Sequence, residues 1–463
     1  MDPDWWQNTE ALGKEYGDLI FLKSLGQPMV IINSYDVAVD LFEKKSTNYS
    51  DRPTSVMVNE LQKWDWNLIN LCYGEGLRKL RAPVQKFFES SNILNFEDVM
   101  KREAQKLLRS LLQSPDEYGQ HIRTSAASLI MMITYGHEID SYDDPFVRLA
   151  RNSAEHLETA LQKGAFLVDN IPWLKYLPKW FPGAGFHVVA EEGARLSNDL
   201  RSKPYFFTKE KILRNPVTRS FTSKQIEECL SLADRVSEDD DDVISATTAV
   251  CYLAGAATSA SVIMFFLMAM TLHPEVQRRA QDEIDRVIGD SRLSELSDRD
   301  QLPYCAALLK EIHRCYPILP LGVAHATKEA DTYSGYYIPA KTVVLPNHWA
   351  MLMDPKEYPV PEAFRPDRFL PEEGRRMPRD PSKIAFGFGR RICPGKPFAE
   401  HSLFLLVTHI LAVFNISKAK DVDGNDIEPD IKIRSHGVMR EPEVFECLIK
   451  ARSSEASALI QME

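Results

Sequence analysis

The residue of this chain best placed to do chemistry is a cysteine. Cys393 lies in Phe386-Gly387-Phe388-Gly389-Arg390-Arg391-Ile392-Cys393-Pro394-Gly395, a glycine-rich loop that runs into an apolar stretch over 398–414. The glycines let backbone approach a flat partner closely. A helix starting just past the sulfur would turn free N–H groups and its positive dipole end toward it, which favours thiolate. A thiolate invites a metal, yet Cys72, Cys229, Cys251, Cys305, Cys315 and Cys447 form no C-x-x-C pair and offer no partner at zinc spacing. With no second cysteine or histidine at ligand spacing, a zinc or iron–sulfur site built from protein alone has no support. An iron whose other ligands come from a porphyrin needs just one protein sulfur. The alternative is a buried structural cysteine, and the loop around Cys393 argues against it. An odd, scattered set of cysteines also suggests a reducing compartment.

Two further groups carry chemistry. Glu311 and Arg314 stand three residues apart, neighbours on one helix face, and by spacing alone they read as a surface ion pair that a distant arginine could extend. Hydroxyls gather in the run from Val243 to Pro274, which holds no Asp, Glu, Lys or Arg. Its length satisfies a membrane span. However, Ser245, Thr247, Thr248, Gly255, Thr258, Ser259 and Ser261 interrupt it, an acidic run precedes it at 238–242, and no basic flank sets an orientation. A helix of about 48 Å, buried on all sides through a large soluble protein, fits better.

The elements that must position these residues follow from pattern. Residues 18–33 read as a hairpin broken at Gly-Gln-Pro, and 36–163 as consecutive amphipathic helices. Three prolines and five aromatics make 170–186 an exposed or half-exposed loop. Helices resume over 188–213, 223–232, 275–289 and 303–316, and prolines and glycines then multiply between 317 and 381 around a small β element in DTYSGYYIPAKTVVLPN. No internal repeat is present. With 463 residues, 44% hydrophobic and 26% charged, the chain is globular, and length alone suggests about three domains. A net charge of −11 gives no footing for nucleic-acid binding. The opening MDPDWWQNTE has neither a basic nor an apolar stretch, so no signal peptide or anchor is expected from it, and two Asn-x-Ser triplets carry little weight.

Phe386, Gly389, Arg391, Cys393 and Gly395 meet F-x-x-G-x-R-x-C-x-G, Glu311-Ile312-His313-Arg314 fits E-x-x-R, and Phe364-Arg365-Pro366-Asp367-Arg368-Phe369 fits an F-x-P-E-R-F-like element. In these residues the chain resembles the cytochrome P-450 haem-thiolate monooxygenases, microsomal type. YSDRP at 49–53 and LKYLPKWFPGAGF at 174–186 resemble the fungal secondary-metabolism branch. The resemblance covers nearly the whole chain and implies one mainly α domain over 1–463 with a small β portion, replacing the three-domain expectation. The long uncharged helix then crosses the distal face of a haem b, with Cys393 as axial ligand. Glu311, Arg314 and Arg368 become a charged triad behind the cysteine loop. Arg81, Arg391 and His325 match propionate positions, and Phe386, Gly389 and Gly395 belong to the haem loop. A tryptophan usual four residues before Arg81 is Leu77 here, one donor fewer.

Ala254-Gly255-Ala256-Ala257-Thr258-Ser259 falls where the family's oxygen-binding motif should. Family members usually carry an acid immediately before the threonine, and this chain has Ala257. Thr258 is expected to steer protons; its plainer alternative is a hydroxyl bonded back to the carbonyl four residues earlier. Without the acid, protons must come through ordered water, another side chain or the substrate, or reducing power leaks as peroxide. Ala254, Leu319, Leu321, Val323 and Val438 match substrate-lining positions. The resemblance further implies O2 as oxidant, NADPH electrons through a separate flavin reductase, a small hydrophobic substrate, a monomer, and the cytosolic face of the endoplasmic reticulum membrane. Arg78, Lys79, Arg81 and Lys86 form a local basic patch for the reductase's acidic face. Trp173, Tyr176, Trp180, Phe181 and Phe186 with Lys175 and Lys179 suit peripheral membrane contact or a roof over the substrate channel. The family's usual anchor and proline-rich hinge are not legible. Ala257 also motivates a rival: a haem-thiolate isomerase, dehydratase or peroxide-driven enzyme, or a degenerate haem binder.

Overall fold

The computed structural model describes residues 5–461, other than Leu25, Asp140, Tyr142, Gln162, Lys163, residues 215–218, Asp234 and Gly437. Its helices of eight residues or more are α1 (Trp5–Tyr16), α2 (Glu75–Phe87), α3 (Glu97–Gln113), α4 (Tyr118–Tyr135), α5 (Pro145–Leu161), α6 (Phe186–Arg214), α7 (Phe221–Ala233), α8 (Glu238–Leu272), α9 (Pro274–Val287), α10 (Pro303–Cys315), α11 (Lys396–Val413) and α12 (Ser454–Gln461). The mainly α expectation with a small β portion holds.

Helix α8 organises the molecule. It opens on a capping box: Ser237 Oγ accepts from the Asp240 N–H at 3.1 Å and the Asp240 carboxylate accepts from the Ser237 N–H at 3.0 Å. The acidic run at 238–241, read from sequence only as the wrong flank for a membrane span, is its first turn, where negative charge meets the positive dipole end. Among the described residues α8 is the one helix long and apolar enough to cross a membrane, and its flanks are instead buried in the protein core against α4, α6 and α2.

Four strands form one sheet in the order β1-β2-β6-β3, from β1 (Leu19–Ser24), β2 (Gln27–Ile32), β3 (His325–Ala326) and β6 (Val343–Pro346). β2 is central and pairs in parallel with β6, Val30 opposite Val344, so Val30, Ile31 and Ile32 are buried on both faces. Between β4 (Asp331–Tyr333) and β5 (Tyr336–Ile338), Ser334 and Gly335 take φ of 50° and 84°, the two positive values a tight hairpin needs. β7 (Phe414–Lys418) pairs with β10 (Cys447–Ala451), and β8 (Ile433–His436) with β9 (Met439–Pro442). The expectation of consecutive amphipathic helices over 36–163 fails at 51–74, which is irregular apart from one π turn at Val56–Leu61. Pro53 and Gly74 break the pattern, and Trp64 and Asn67 are buried without a helix.

Candidate functional site

The cysteine loop is clamped by rings and by one glycine. Phe388 is buried, stacking on Phe42 at 5.8 Å and meeting Tyr35 at 5.9 Å. Gly389 has φ +52°, and a Cβ there would lie 2.2 Å from the Phe42 carbonyl oxygen. Its small size therefore answers the loop's packing on residues 40–44, where the sequence suggested approach to a flat partner. Gly387 (φ +77°) faces more open space, and a Cβ on Gly395 would stand 3.8 Å from Cys393 Sγ. Phe386 accepts the Cys393 N–H at 2.8 Å, and its ring faces His313. The Cys393 side chain is exposed although the loop lies deep in the protein, so the sulfur opens onto an interior space. Burial pushes its thiol up, opposed by the N–H groups of Gly395 and Lys396 at the start of α11 and by Arg81. The N–H groups and the cation expected at the sulfur are present, but burial outweighs them and the balance in the protein alone favours the thiol.

A cluster of buried cations stands beside it. Arg391 donates to the carbonyls of Ser50 (2.8 Å), Leu68 (3.5 Å) and Leu71 (2.6 Å), and Arg81 to that of Ile392. Arg52 joins them, donating to Ile69 (3.0 Å), Val323 (2.9 Å) and Ala324 (2.6 Å). Burial pulls all three guanidinium pKa values down, and mutual repulsion pulls further at Arg52 and Arg391. Among the described residues no carboxylate bonds to any of the three guanidiniums; the nearby Asp51 accepts instead from the N–H groups of Arg52 and Tyr73. Buried cations without an anion are costly, so the cluster fits a group bringing carboxylates into the interior, as haem does with its propionates. Arg52 was not among the residues singled out from sequence; an arginine before a proline carries no signal that separates it from a surface loop.

His325 needs a correction. Its Nδ1 pairs with the Tyr49 carbonyl at 2.7 Å, and burial followed by Arg52 drives its pKa well down. A neutral ring donating there presents only a lone pair at Nε2, and holding a carboxylate would require a second proton. Leu77 is buried in the apolar core and supplies no donor.

Across the interior space lies the middle of α8. Between buried runs on either side, Leu253 to Ser259 are half-buried, and Cys251 is near enough to Cys393 that the sulfur, after burial, adds to the upward push on its thiol. Thr258 Oγ1 donates to the Ala254 carbonyl at 2.8 Å, the plain helical back-bond. At Gly255 a Cβ would come within 2.8 Å of Ile130 Cγ1, so this glycine admits α4. Leu319, Leu321 and Val323 are half-buried after α10, and Val438 is exposed at the turn between β8 and β9. That hairpin is tied to the same segment by the Arg440 N–H donating to the Ile318 carbonyl at 2.8 Å.

Glu311, Arg314 and Arg368 do meet. Arg314 bonds both Glu311 oxygens (2.8 and 2.9 Å), and Arg368 Nε bonds Oε1 at 3.1 Å. The surface pair read from spacing is wrong: Glu311 and Arg314 are fully buried, because the 359–370 segment folds over α10 and the Ala363 carbonyl accepts from both arginines.

The surface inferences change too. In the basic patch, Lys79 pairs with Asp239 (2.6 Å), Lys86 with Glu228 (3.2 Å), and Arg81 turns inward, leaving Arg78 exposed. Lys175 pairs with Glu60 and Lys179 with Glu191, so the lysines of the aromatic loop are tied to acids, while Trp173, Tyr176 and Trp180 are each more than 60% exposed.

The Cytochrome P-450 family profile matches residues 3–446. The chain is 40% identical over 456 residues to cytochrome P-450 monooxygenase 208 of Postia placenta, covering 98% of this chain and 88% of that one. It is 38% identical to cytochrome P-450 monooxygenase COX2 of Coprinopsis cinerea over 461 residues (98% and 87%), and 36% to tryptamine 4-monooxygenase of Psilocybe cyanescens over 454 (97% and 89%). With a lone cysteine opening on the interior, a cation cluster suited to propionates, and this similarity from end to end, the chain belongs to the cytochrome P-450 family, the haem-thiolate monooxygenases.

Proposed function

We propose that the protein inserts one oxygen atom from O2 into a small hydrophobic molecule of fungal secondary metabolism, with electrons from NADPH delivered by a separate flavin reductase. The observation that carries this reading is the Cys393 sulfur opening onto an interior space flanked by three guanidiniums without a bound carboxylate. Bound haem supplies the oxygen activation. The chain supplies the rest: Cys393 would bind the iron through its sulfur, and Arg52, Arg81 and Arg391 would hold the propionates, with His325 assisting if it takes a second proton. Thr258 would offer its hydroxyl for proton delivery, and the Glu311–Arg314–Arg368 triad fixes the segment behind the loop. Ala254, Leu319, Leu321, Val323 and Val438 shape the substrate end, giving size and apolarity more than chemical identity. The relative named for tryptamine makes small aromatic amines the first substrates to try.

The reductase would approach from the cysteine-loop side, where Arg81 and Arg390 line a concavity of about 370 Å³ together with Gln85 and Glu43, and where Arg78 on α2 is exposed. The exposed rings of the 173–181 loop support contact with the endoplasmic reticulum membrane. The rival isomerase or peroxide-driven reading rests on Ala257, and reductase dependence separates the two: turnover without reductant would overturn ours.

The absorption spectrum of the reduced protein with carbon monoxide, beside Cys393→Ala, tests the centre. A strongly red-shifted Soret band that disappears in the variant is the expected result. A band that survives the substitution would overturn the assignment of Cys393.

A further inference from the structure

The acid missing from α8 has a counterpart on another element. Ser261 lies one turn beyond Ala257 on the same side of the helix, and its hydroxyl is placed between two acceptors. The Ala257 carbonyl is 3.1 Å away and Glu441 Oε2, on β9, is 3.2 Å away. A hydroxyl has one hydrogen and two lone pairs. It can donate to the ionised Glu441, or accept from a protonated Glu441 while donating to the Ala257 carbonyl. Those are the two states a proton hand-off requires.

Glu441 is held in place by cations. Arg434, its cross-strand partner on β8, bonds Oε1 at 2.6 Å, and Arg123 on α4 bonds the same oxygen at 3.1 Å. Oε2 is thus left for Ser261. Burial works against the charged form of Glu441, but Arg123 and Arg434 outweigh it and hold its pKa below the usual carboxylate range.

We propose that Glu441, acting through Ser261, replaces the acid absent at Ala257. A proton taken up from water at the partly exposed Glu441 carboxyl passes to Ser261 Oγ as that hydroxyl releases its own, and onward to Thr258 Oγ1. Ser261 and Thr258 are i and i+3, with Cβ atoms about 5–6 Å apart on one face, a gap that one bridging water spans. No electrons move in the relay; those come from the reductase, so the inference rests on the O2-dependent reading above.

The test uses the haem-loaded protein with its reductase and a turned-over substrate. Wild type run under 18O2 decides the underlying reading by itself: unlabelled product would sink the monooxygenase, whatever the variants do. Glu441→Gln and Ser261→Ala should keep the wild-type carbon monoxide spectrum while the ratio of product to NADPH consumed falls about tenfold and peroxide rises, below the usual range for a proton-transfer group because water offers a bypass. Adding Ala257→Asp to Glu441→Gln should recover coupling, which a merely structural Glu441 would not allow. Independent of turnover, carbon-13 NMR of labelled glutamate should show the Glu441 carboxyl, identified by its loss in Glu441→Gln, change its shift in Ser261→Ala as the hydroxyl bond is removed. Should Glu441→Gln fail to load haem, Ser261→Ala decides, since it removes one hydroxyl and leaves both arginines paired. Wild-type coupling in Ser261→Ala, or a Glu441 carboxyl signal unchanged by loss of that hydroxyl, overturns the proposal.

Discussion

Arg52 shows how much one buried side chain can carry. Three backbone carbonyls from two distant segments converge on it, one of them 271 residues away, and hydrogen bonds to a charged group contribute about 1.5–3 kcal/mol each. Arg52→Ala is expected to lower Tm and the ratio of haem to protein, with Arg52→Lys between it and wild type, because lysine keeps the charge but not the fork. Haem absorbance per protein and a thermal melt measure both. A reduced Tm with full haem loading would make Arg52 a packing residue only. The same scale exposes a limit of motif reading. The sequence points to Arg81, Arg391 and His325 through resemblance, yet His325 spends its Nδ1 position on Tyr49, and the third guanidinium comes from Arg52, which the sequence offered only inside YSDRP and without a role. Burial and pairing, which decide what an ionisable group does, are not local properties.

Among the elements, the cysteine loop and α8 were the most legible, since each is a contiguous pattern with its own physical signature. Their glycines act differently from the expectation. Gly389 is required by a backbone contact with Phe42, whereas Gly387 has positive φ and room for a side chain. Gly387→Ala is therefore expected to cost about 1 kcal/mol of backbone strain. Gly389→Ala should cost more than the roughly 1–3 kcal/mol of strain alone, because the loop must leave Phe42, and should also lower haem loading. Thermal melts of the two variants check the order; equal losses would mean that the loop moves freely against residues 40–44. Helix α8 was readable as a long buried helix because 243–274 is uncharged yet interrupted by hydroxyls; that Ser237 and the acids of the first turn cap its start came only with the structure. Residues 51–74 were misread as helical because apolar spacing persists through a stretch whose side chains are buried by long-range packing rather than by a helical stripe.

Over the whole molecule, the net charge of −11 says little about local charge, since Lys79, Lys86, Lys175 and Lys179 are each paired with acids on other segments. What the 170–186 loop presents outward is aromatic surface, with Trp180 80% exposed. Trp180→Asp is expected to weaken binding to phosphatidylcholine vesicles about tenfold or more, since burying a large side chain is worth about 1.5–3 kcal/mol, while leaving the carbon monoxide spectrum unchanged. Vesicle co-sedimentation measures this, and unchanged binding would favour the same rings as a roof over the substrate channel. By itself the sequence determined the family, the glycine-rich loop that presents Cys393, the long buried helix and, through family resemblance, the members of the charged triad, because each lies in a short motif or an uninterrupted apolar run that is legible without knowing what lies across the fold. Only the tertiary structure decided that the triad is buried, that Arg52 completes the cation cluster, and that Glu441 reaches Ser261 across 180 residues of chain. Desolvation and pairing arise between segments that sequence order keeps apart, and no local pattern records them.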